Sequence, residues 1–269
     1  MHRTVEPLDA AALRTALTGA WAQVDVVERT GSTNADLLAA AADGAPDRTV
    51  LVAEYQEAGR GRLARTWVAP PGTGITVSVL LRPTGVPPAR FAWLPLLTGL
   101  ALLDAVRAVC DVPAGLKWPN DLLLGAGQRK AAGILAEVAD AVRPAVVVGV
   151  GLNVAASPPD QPGATSLADE GAVVDRTHVL TTFLSRLAER EAQWRDGRGD
   201  AEAARLRADY RAGCVTLGSE VKVELPGGAA LRGIAEDVDR DGRLLVLDAA
   251  GHRRAVAAGD VVHLRPSGA

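Results

Sequence analysis

The chain has 269 residues, 48% hydrophobic and 23% charged, and a formal net charge of −3. This is a globular composition with room for one large domain and one small one, and it gives no bulk electrostatic reason to bind nucleic acid. Two distant cysteines and four scattered histidines argue against a disulfide framework or a protein-bound transition metal. Glu6 and Asp9 come too early for a signal peptide, and the longest apolar stretch, near residues 94–109, is interrupted by Pro95, Asp104 and Arg107. The expected location is the cytoplasm, with no membrane partner.

In chain order, Ala and Leu spacing predicts a helix over 8–20 with Asp9 as its cap. A strand at 24–28 leads into Gly31-Ser32-Thr33-Asn34 and a helix through Ala42. Residues 49–55 are a β-branched strand, followed by the loop Gly59-Arg60-Gly61-Arg62-Leu63-Ala64-Arg65-Thr66-Trp67, and 75–81 is a further strand. Residues 89–110 form a helix apolar on all sides, hence buried. Short strands follow at 116–118, 122–124, 133–138 and 145–150, with a hairpin turn at 125–128. A proline-rich surface loop at 156–163 precedes helices at 176–195 and 200–212. After Gly213 the pattern changes to strands at 221–225, 231–238, 244–247 and 261–264 joined by tight Gly-rich turns, which suggests a small β-barrel and a boundary near residue 215.

Of 29 basic side chains only Lys117, Lys130 and Lys222 are lysines, and the first two lie close together in sequence. A chain that otherwise uses arginine and keeps an ammonium at such points selects a compact donor over a wide planar fork. Lys117 opens Lys117-Trp118-Pro119-Asn120-Asp121, which places an ammonium, an amide and a carboxylate around a proline-fixed bend. The plainer reading of that segment is a strand end whose Asn and Asp make a turn. The Gly-Arg loop reads equally as a guanidinium clamp for phosphate or carboxylate and as a solvated basic turn. Lys130 is also what an exposed hairpin lysine looks like, and Ser32-Thr33-Asn34 is what a helix N-terminus calls for. Gly149-Val150-Gly151 lacks the third glycine of a dinucleotide fingerprint.

Taken together and in this order, these segments resemble the biotin–protein ligases. The residues that carry the likeness are Gly31–Asn34, Glu54-Tyr55-Gln56, Gly59–Arg62 with Trp67, Lys117–Asp121, Lys130 with Gly133-Ile134-Leu135 and Glu137, and Gly149–Asn153, within a span of about 24–265. The resemblance implies an α+β fold: a mixed, largely antiparallel central sheet flanked by helices over residues 1–214, and a small SH3-like β-barrel over 215–269. It implies that the carboxylate of biotin attacks the α-phosphate of ATP, with Mg²⁺, to give biotinyl-5′-adenylate. A lysine of the biotin carboxyl carrier domain of an acyl-CoA carboxylase would then displace AMP.

Carried over residue by residue, Ser32, Thr33, Asn34, Gln56, Arg60, Gly61, Arg62 and Lys130 would hold biotin. Arg60, Arg65, Trp67, Lys117, Asn120, Lys130 and Asn153 would hold ATP and the adenylate, and Lys117, Arg62 and Asp121 would act on the reacting groups. No residue is assigned as a direct metal ligand. The chain departs from the family pattern at Leu63 and Ala64, where a basic residue and a glycine are common. About twenty residues precede the first matching strand, so the expectation is a ligase without an N-terminal DNA-binding domain, acting as a monomer or weak homodimer. The alternatives are a lipoate–protein ligase and a non-catalytic biotin-binding regulator.

Overall fold

The structure, a computed structural model, describes residues 6–140 and 144–264. The outer ends of the two expected domains, residues 1–5 and 265–269, lie outside the described residues. Helix α1 (Ala10–Ala16) is capped by Asp9, whose carboxylate accepts from the backbone N–H of Ala11 and Ala12 at 3.0 and 2.9 Å. It ends earlier than the predicted 8–20 because the chain turns at Gly19, where φ is +83°.

Next come β1 (Gln23–Thr30), α2 (Thr33–Ala42), β2 (Thr49–Gln56), β3 (Gly74–Leu81), α3 (Trp93–Val109), β4 (Ala114–Lys117), β5 (Asp121–Leu124), β6 (Arg129–Asp140) and β7 (Ala145–Asn153). The seven strands form one sheet in the order β1-β2-β3-β7-β6-β5-β4. Only β1 and β2, joined across α2, run parallel; every other neighbouring pair is antiparallel. The central strands β3 and β7 are buried at every position, because helices cover both faces of the sheet. On one face lie α3 and α4 (Arg176–Asp196); on the other, α2 packs Leu37 and Ala41 against Leu80 and Val147.

Two of the shifts in predicted bounds have a clear cause. Strand β7 runs on to Asn153, since β3 and β6 pair with it along its whole length. The helix expected over 200–212 becomes α5 (Leu206–Gly213), starting after Arg205 in the left-handed region. Ahead of it, Asp200 accepts from the N–H groups of Glu202 and Ala203, a side-chain turn that competes with helix.

Strands β8 (Glu220–Glu224), β9 (Ala230–Val238), β10 (Leu244–Asp248), β11 (Arg253–Val256) and β12 (Asp260–His263) form a second, antiparallel sheet in the order β11-β10-β9-β8-β12. Strand β11 was not expected, since Arg253-Arg254 masks a short exposed strand. The ladder does not close between β11 and β12 among the described residues. The turn between β9 and β10 packs against α3 and the β4–β5 turn: Trp93 Nε1 donates to Arg240 O at 2.8 Å and Trp118 Nε1 to Gly242 O at 3.1 Å. Among the described residues no helix is long and apolar enough to cross a membrane.

Trp93 is fully buried and meets Tyr210 edge-on at 6.3 Å between ring centroids. Trp93→Phe removes the indole donor that joins α3 to the turn of the second sheet, and some buried volume. We expect it to cost about 1–3 kcal/mol in urea unfolding. A loss below ~0.5 kcal/mol would mean that this link does not hold the domains together.

Candidate functional site

A cavity of about 680 Å³ opens where the Gly-Arg loop, the N-terminus of α2, the ends of β4–β7 and the edge strand β12 converge. Of the residues expected in the site, Ser32, Thr33, Asn34, Gln56, Arg60, Gly61, Arg62, Arg65, Trp67, Lys117, Asn120, Asp121 and Lys130 all form its walls. Asn153 does not.

One end is neutral and polar. Ser32 caps α2, accepting from Ala35 N at 3.4 Å, so it is both a helix cap and a cavity wall. Gln56 Oε1 accepts from the backbone N–H of Thr33 at 2.8 Å, and the Thr33 hydroxyl lies 2.9 Å from the same oxygen and 2.7 Å from Ser78 Oγ. Ser78 Oγ donates to Asn34 Oδ1 at 2.6 Å, and Asn34 Nδ2 donates to Glu137 Oε2 at 2.7 Å. Anchored on a carboxylate, this chain fixes which way each amide points and leaves rigid donors and acceptors facing the cavity. Ser78 was missed in the sequence, although a serine inside the apolar strand Gly74–Leu81 is a legible buried polar residue.

The floor is a face of the sheet without side chains. Gly133 of β6 lies opposite Gly151 of β7, and Gly149 shares that face two residues away. A Cβ at Gly149 would sit 2.1 Å from Asn34 Oδ1, and one at Gly151 2.2 Å from Trp67 Cε2. Thus Asn34 and the Trp67 indole each rest on bare backbone. Asn153 continues the row beyond Trp67; it is buried, and its amide donates to Thr165 O at 3.0 Å. Its Oδ1 and the Trp67 indole N–H are both buried without a partner among the described residues.

The other end is charged. Lys117 closes β4 and Asp121 opens β5, opposite each other in the ladder across the cis Trp118–Pro119 bond. Lys130 reaches Asp121 Oδ1 at 2.7 Å. Asn120 is fixed by its side-chain donation to Ile134 O at 2.9 Å, and its Oδ1 accepts from Arg62 Nη1 at 3.0 Å. The Lys117 ammonium has no hydrogen-bond or ion-pair partner within 4 Å among the described residues. Burial lowers its pKa below the usual lysine value; Asp121 and Asp260 pull it back up, while Lys130 and Arg65 push it further down. A half-buried, unpaired ammonium at the edge of a cavity is a site prepared for an anion.

The second sheet supplies Glu224, Asp260, Val261 and Val262 to the wall. None was expected, since Gly259-Asp260 reads in sequence as a turn. Among the described residues no three His, Cys, Asp or Glu side chains group as a metal site. The carboxylates that face the cavity are matched to cations instead.

Residues 26–153 match the biotin/lipoate A/B protein ligase family, and residues 216–264 match the biotin protein ligase C-terminal domain. The chain is 52% identical over 268 residues to a biotin–acetyl-CoA-carboxylase ligase from Mycobacterium tuberculosis, covering 96% of this chain and 97% of that one. The chain belongs to the biotin–protein ligase family. A ligase of the same description from Paracoccus denitrificans is 36% identical, covering 88% of this chain and 98% of its own. Among solved structures, the biotin protein ligase from Aquifex aeolicus in complex with biotin and ATP superposes with a TM-score of 0.76 at 26% identity, covering 91% of this chain and all of that one.

Two outcomes are expected in this ligase-family fold. Gly151→Ala should push the Trp67 indole off the sheet and raise acrylamide quenching of tryptophan fluorescence, with Tm changed by less than about 4 °C; unaltered quenching would place the indole elsewhere. Lys117 should make stability depend on pH. Between its lowered folded pKa and its unfolded value near 10.5, the unfolded chain holds a proton that the folded lysine has given up, so stability contributed at this site rises with pH. The Tm gained by Lys117→Met at pH 7 should therefore shrink as the pH approaches about 10.5. A difference that stays constant with pH would mean the ammonium is not penalised in the fold.

Proposed function

We propose that this chain activates biotin with ATP to form biotinyl-5′-adenylate and pyrophosphate, then transfers the biotinyl group to a lysine of the biotin carboxyl carrier domain of an acyl-CoA carboxylase. The observation that carries the reading is a single cavity with a fixed neutral polar end, a glycine floor and the unpaired Lys117 ammonium at its charged end. The relative from M. tuberculosis is named for this activity, and the A. aeolicus structure holds biotin and ATP together.

The polar end suits the ureido ring of biotin. Ser32, Thr33, Asn34 and Gln56 are held in fixed directions by their own hydrogen bonds, and the dithiolane ring of lipoate offers no nitrogen or oxygen to meet them. A site built on oriented polar groups favours the ligand that carries the matching polar atoms. Lipoate ligation is therefore the less favoured reading.

A carboxylate oxygen of biotin attacks the α-phosphorus, and the bond to pyrophosphate breaks. Both reactants are anions, so the barrier falls when fixed cations face the developing charge. Lys117 stands where the carboxylate and α-phosphate meet, with Arg62 held to it by Asn120, and Arg60 and Arg65 on the loop. An arriving anion also favours the charged form of Lys117, reversing the effect of burial. Lys130, braced by Asp121, bridges the biotin and phosphate ends. Trp67, in the cavity wall, offers a ring face for adenine, and the buried Trp67 N–H and Asn153 Oδ1 behind it are an unused donor and acceptor among the described residues. Mg²⁺ would enter with ATP and neutralise phosphate oxygens, with Asp121 as the carboxylate best placed to share it.

In the second half-reaction the carrier lysine amine attacks the carbonyl carbon and AMP leaves. Until then the mixed anhydride must be kept from water, and the glycine-hinged loop 57–66 is the segment able to cover it. A division into units near residue 215 fits the passage of the chain from Gly213 to Glu220, and a cytoplasmic location fits the substrates.

The test is isotope exchange between ATP and pyrophosphate in the presence of either vitamin. Exchange is expected with biotin, and Lys117→Arg should lower its rate by about 10²-fold or more, because a guanidinium misplaces its donors. Exchange with lipoate alone would overturn the choice of substrate.

A further inference from the structure

The three guanidiniums of the Gly-Arg loop differ in how they are held. Arg60 is exposed and has no partner among the described residues. Arg62 is held on both sides: Nη1 donates to Asn120 Oδ1 at 3.0 Å and lies 3.9 Å from Asp260 Oδ1, while Nη2 donates to Gly259 O at 3.3 Å. Arg65 places Nη2 on Asp260 Oδ2. Two of the three are therefore engaged by the start of β12, in the other domain.

Asp260 is well placed to hold them. Its backbone is fixed by the ladder to Glu224, its side chain is only 18% exposed, and among the described residues its carboxylate meets no other cation within ion-pair distance. The loop is less comfortable. Leu63, between the two arginines, has φ +54° and ψ +42° and is 68% exposed, a conformation unfavourable for a leucine with no packing to repay it. The contacts that hold it there are those of Arg62 and Arg65 to Asn120 and the start of β12, and three local backbone bonds, Gly61 N to Arg65 O, Arg65 N to Arg62 O and Trp67 N to Gly59 O.

A carboxylate in the cavity wall, facing Arg62 and Arg65, offers the same oxygens as an incoming phosphate or carboxylate. Both cannot occupy the same guanidinium edges. We infer that Asp260 is a positioning residue that stands in for the anionic ligand: it keeps Arg62 and Arg65 at the mouth of the cavity in the ligand-free protein and yields them when the phosphates of ATP arrive. The inference rests on the ATP-dependent activity proposed above. It gives the second domain a part in the nucleotide-binding step through one side chain.

The sign of the effect separates this from a plain structural role. If Asp260 competes with the nucleotide, Asp260→Asn should lower KM for ATP in the exchange reaction by about threefold to tenfold. Asp260→Glu, which keeps the charge, should behave like the parent. In the ligand-free protein, the amides of Gly61, Arg65 and Trp67 should exchange hydrogen faster in Asp260→Asn. They should also exchange faster in the unmodified protein at about 0.5 M NaCl than at low salt, since the pairs are partly exposed. That arm stands even where Asp260→Asn does not fold.

A KM for ATP that rises or does not change in Asp260→Asn would overturn the inference. So would amide exchange at those three positions insensitive to both the substitution and salt. The exchange arms use ligand-free protein and need no catalysis. Absence of any activity in the unmodified protein would instead count against the proposed function, leaving the amide data to judge Asp260 separately.

Discussion

The site is organised around backbone left bare at Gly133, Gly149 and Gly151. Glycine inside a strand weakens it by roughly 0.5–1 kcal/mol relative to alanine, and here three share one face of adjoining strands. The cost is offset by what settles into the space. Asn34 lies close enough to Gly149 to reach both Ser78 and Glu137, and the Trp67 indole lies flat across Gly151 and Gly133. With side chains on that face, α2 could not present its N-terminus to the sheet and the Gly-Arg loop could not fold back over it. The neutral end of the cavity and the seat of Trp67 therefore depend on the same absence of Cβ atoms.

Charge is distributed with the same economy. The cavity wall gathers Arg60, Arg62, Arg65, Lys117 and Lys130 against Asp121, Asp260 and Glu224. Left unpaired, so many cations in a confined space would oppose folding, and fully paired they would have nothing left for a ligand. The structure divides them. Lys130 is held by Asp121, Arg65 by Asp260, and Arg62 by Asn120 and Gly259 O with Asp260 3.9 Å away; among the described residues Lys117 and Arg60 are left without partners. Of those two, Arg60 is solvated at little cost, whereas burial penalises Lys117, so the destabilisation is concentrated on the ammonium assigned to the reacting carboxylate and phosphate.

Much of this was legible in the sequence because the relevant residues are local or compositionally odd. The rarity of lysine drew attention to Lys117 and Lys130, and β-branched runs marked β2, β3 and β7. What escaped were features decided by distant pairing. Strand β11 is half arginine and becomes a strand only because β10 lies beside it. Gly149–Asn153 looked like the end of a strand, yet pairing on both sides carries β7 through it, and that places Asn153 beyond Trp67 rather than in the cavity wall. Asp260 sits in a turn-like Gly-Asp pair, and nothing local shows that it crosses to a loop almost 200 residues away. The place of Gly-x-Gly in β7 is visible only once Asn34 and Trp67 are seen resting on it.

The smaller domain is more than an appendage to this arrangement, because the same short segment serves both the domain contact and the site. Trp118 follows Lys117 directly; its indole donates to Gly242 O, and its backbone N–H donates to Thr216 Oγ1 at 3.1 Å, an oxygen also 3.0 Å from His263 Nε2 of β12. Leu116 meanwhile bridges to Cys214, and Leu116 O accepts from Val215 N at 2.8 Å. The β4 end that aims the ammonium is thus clamped on the residues either side of Lys117, Leu116 and Trp118, by groups from the junction between the two sheets. Displacing the second sheet would release the orientation of Lys117 together with the partner of Arg62 and Arg65. The geometry of the cavity's charged end and the contact between the two sheets therefore draw on the same few bonds, and a chain with so few aromatic residues commits two of its tryptophans, Trp93 and Trp118, to that junction.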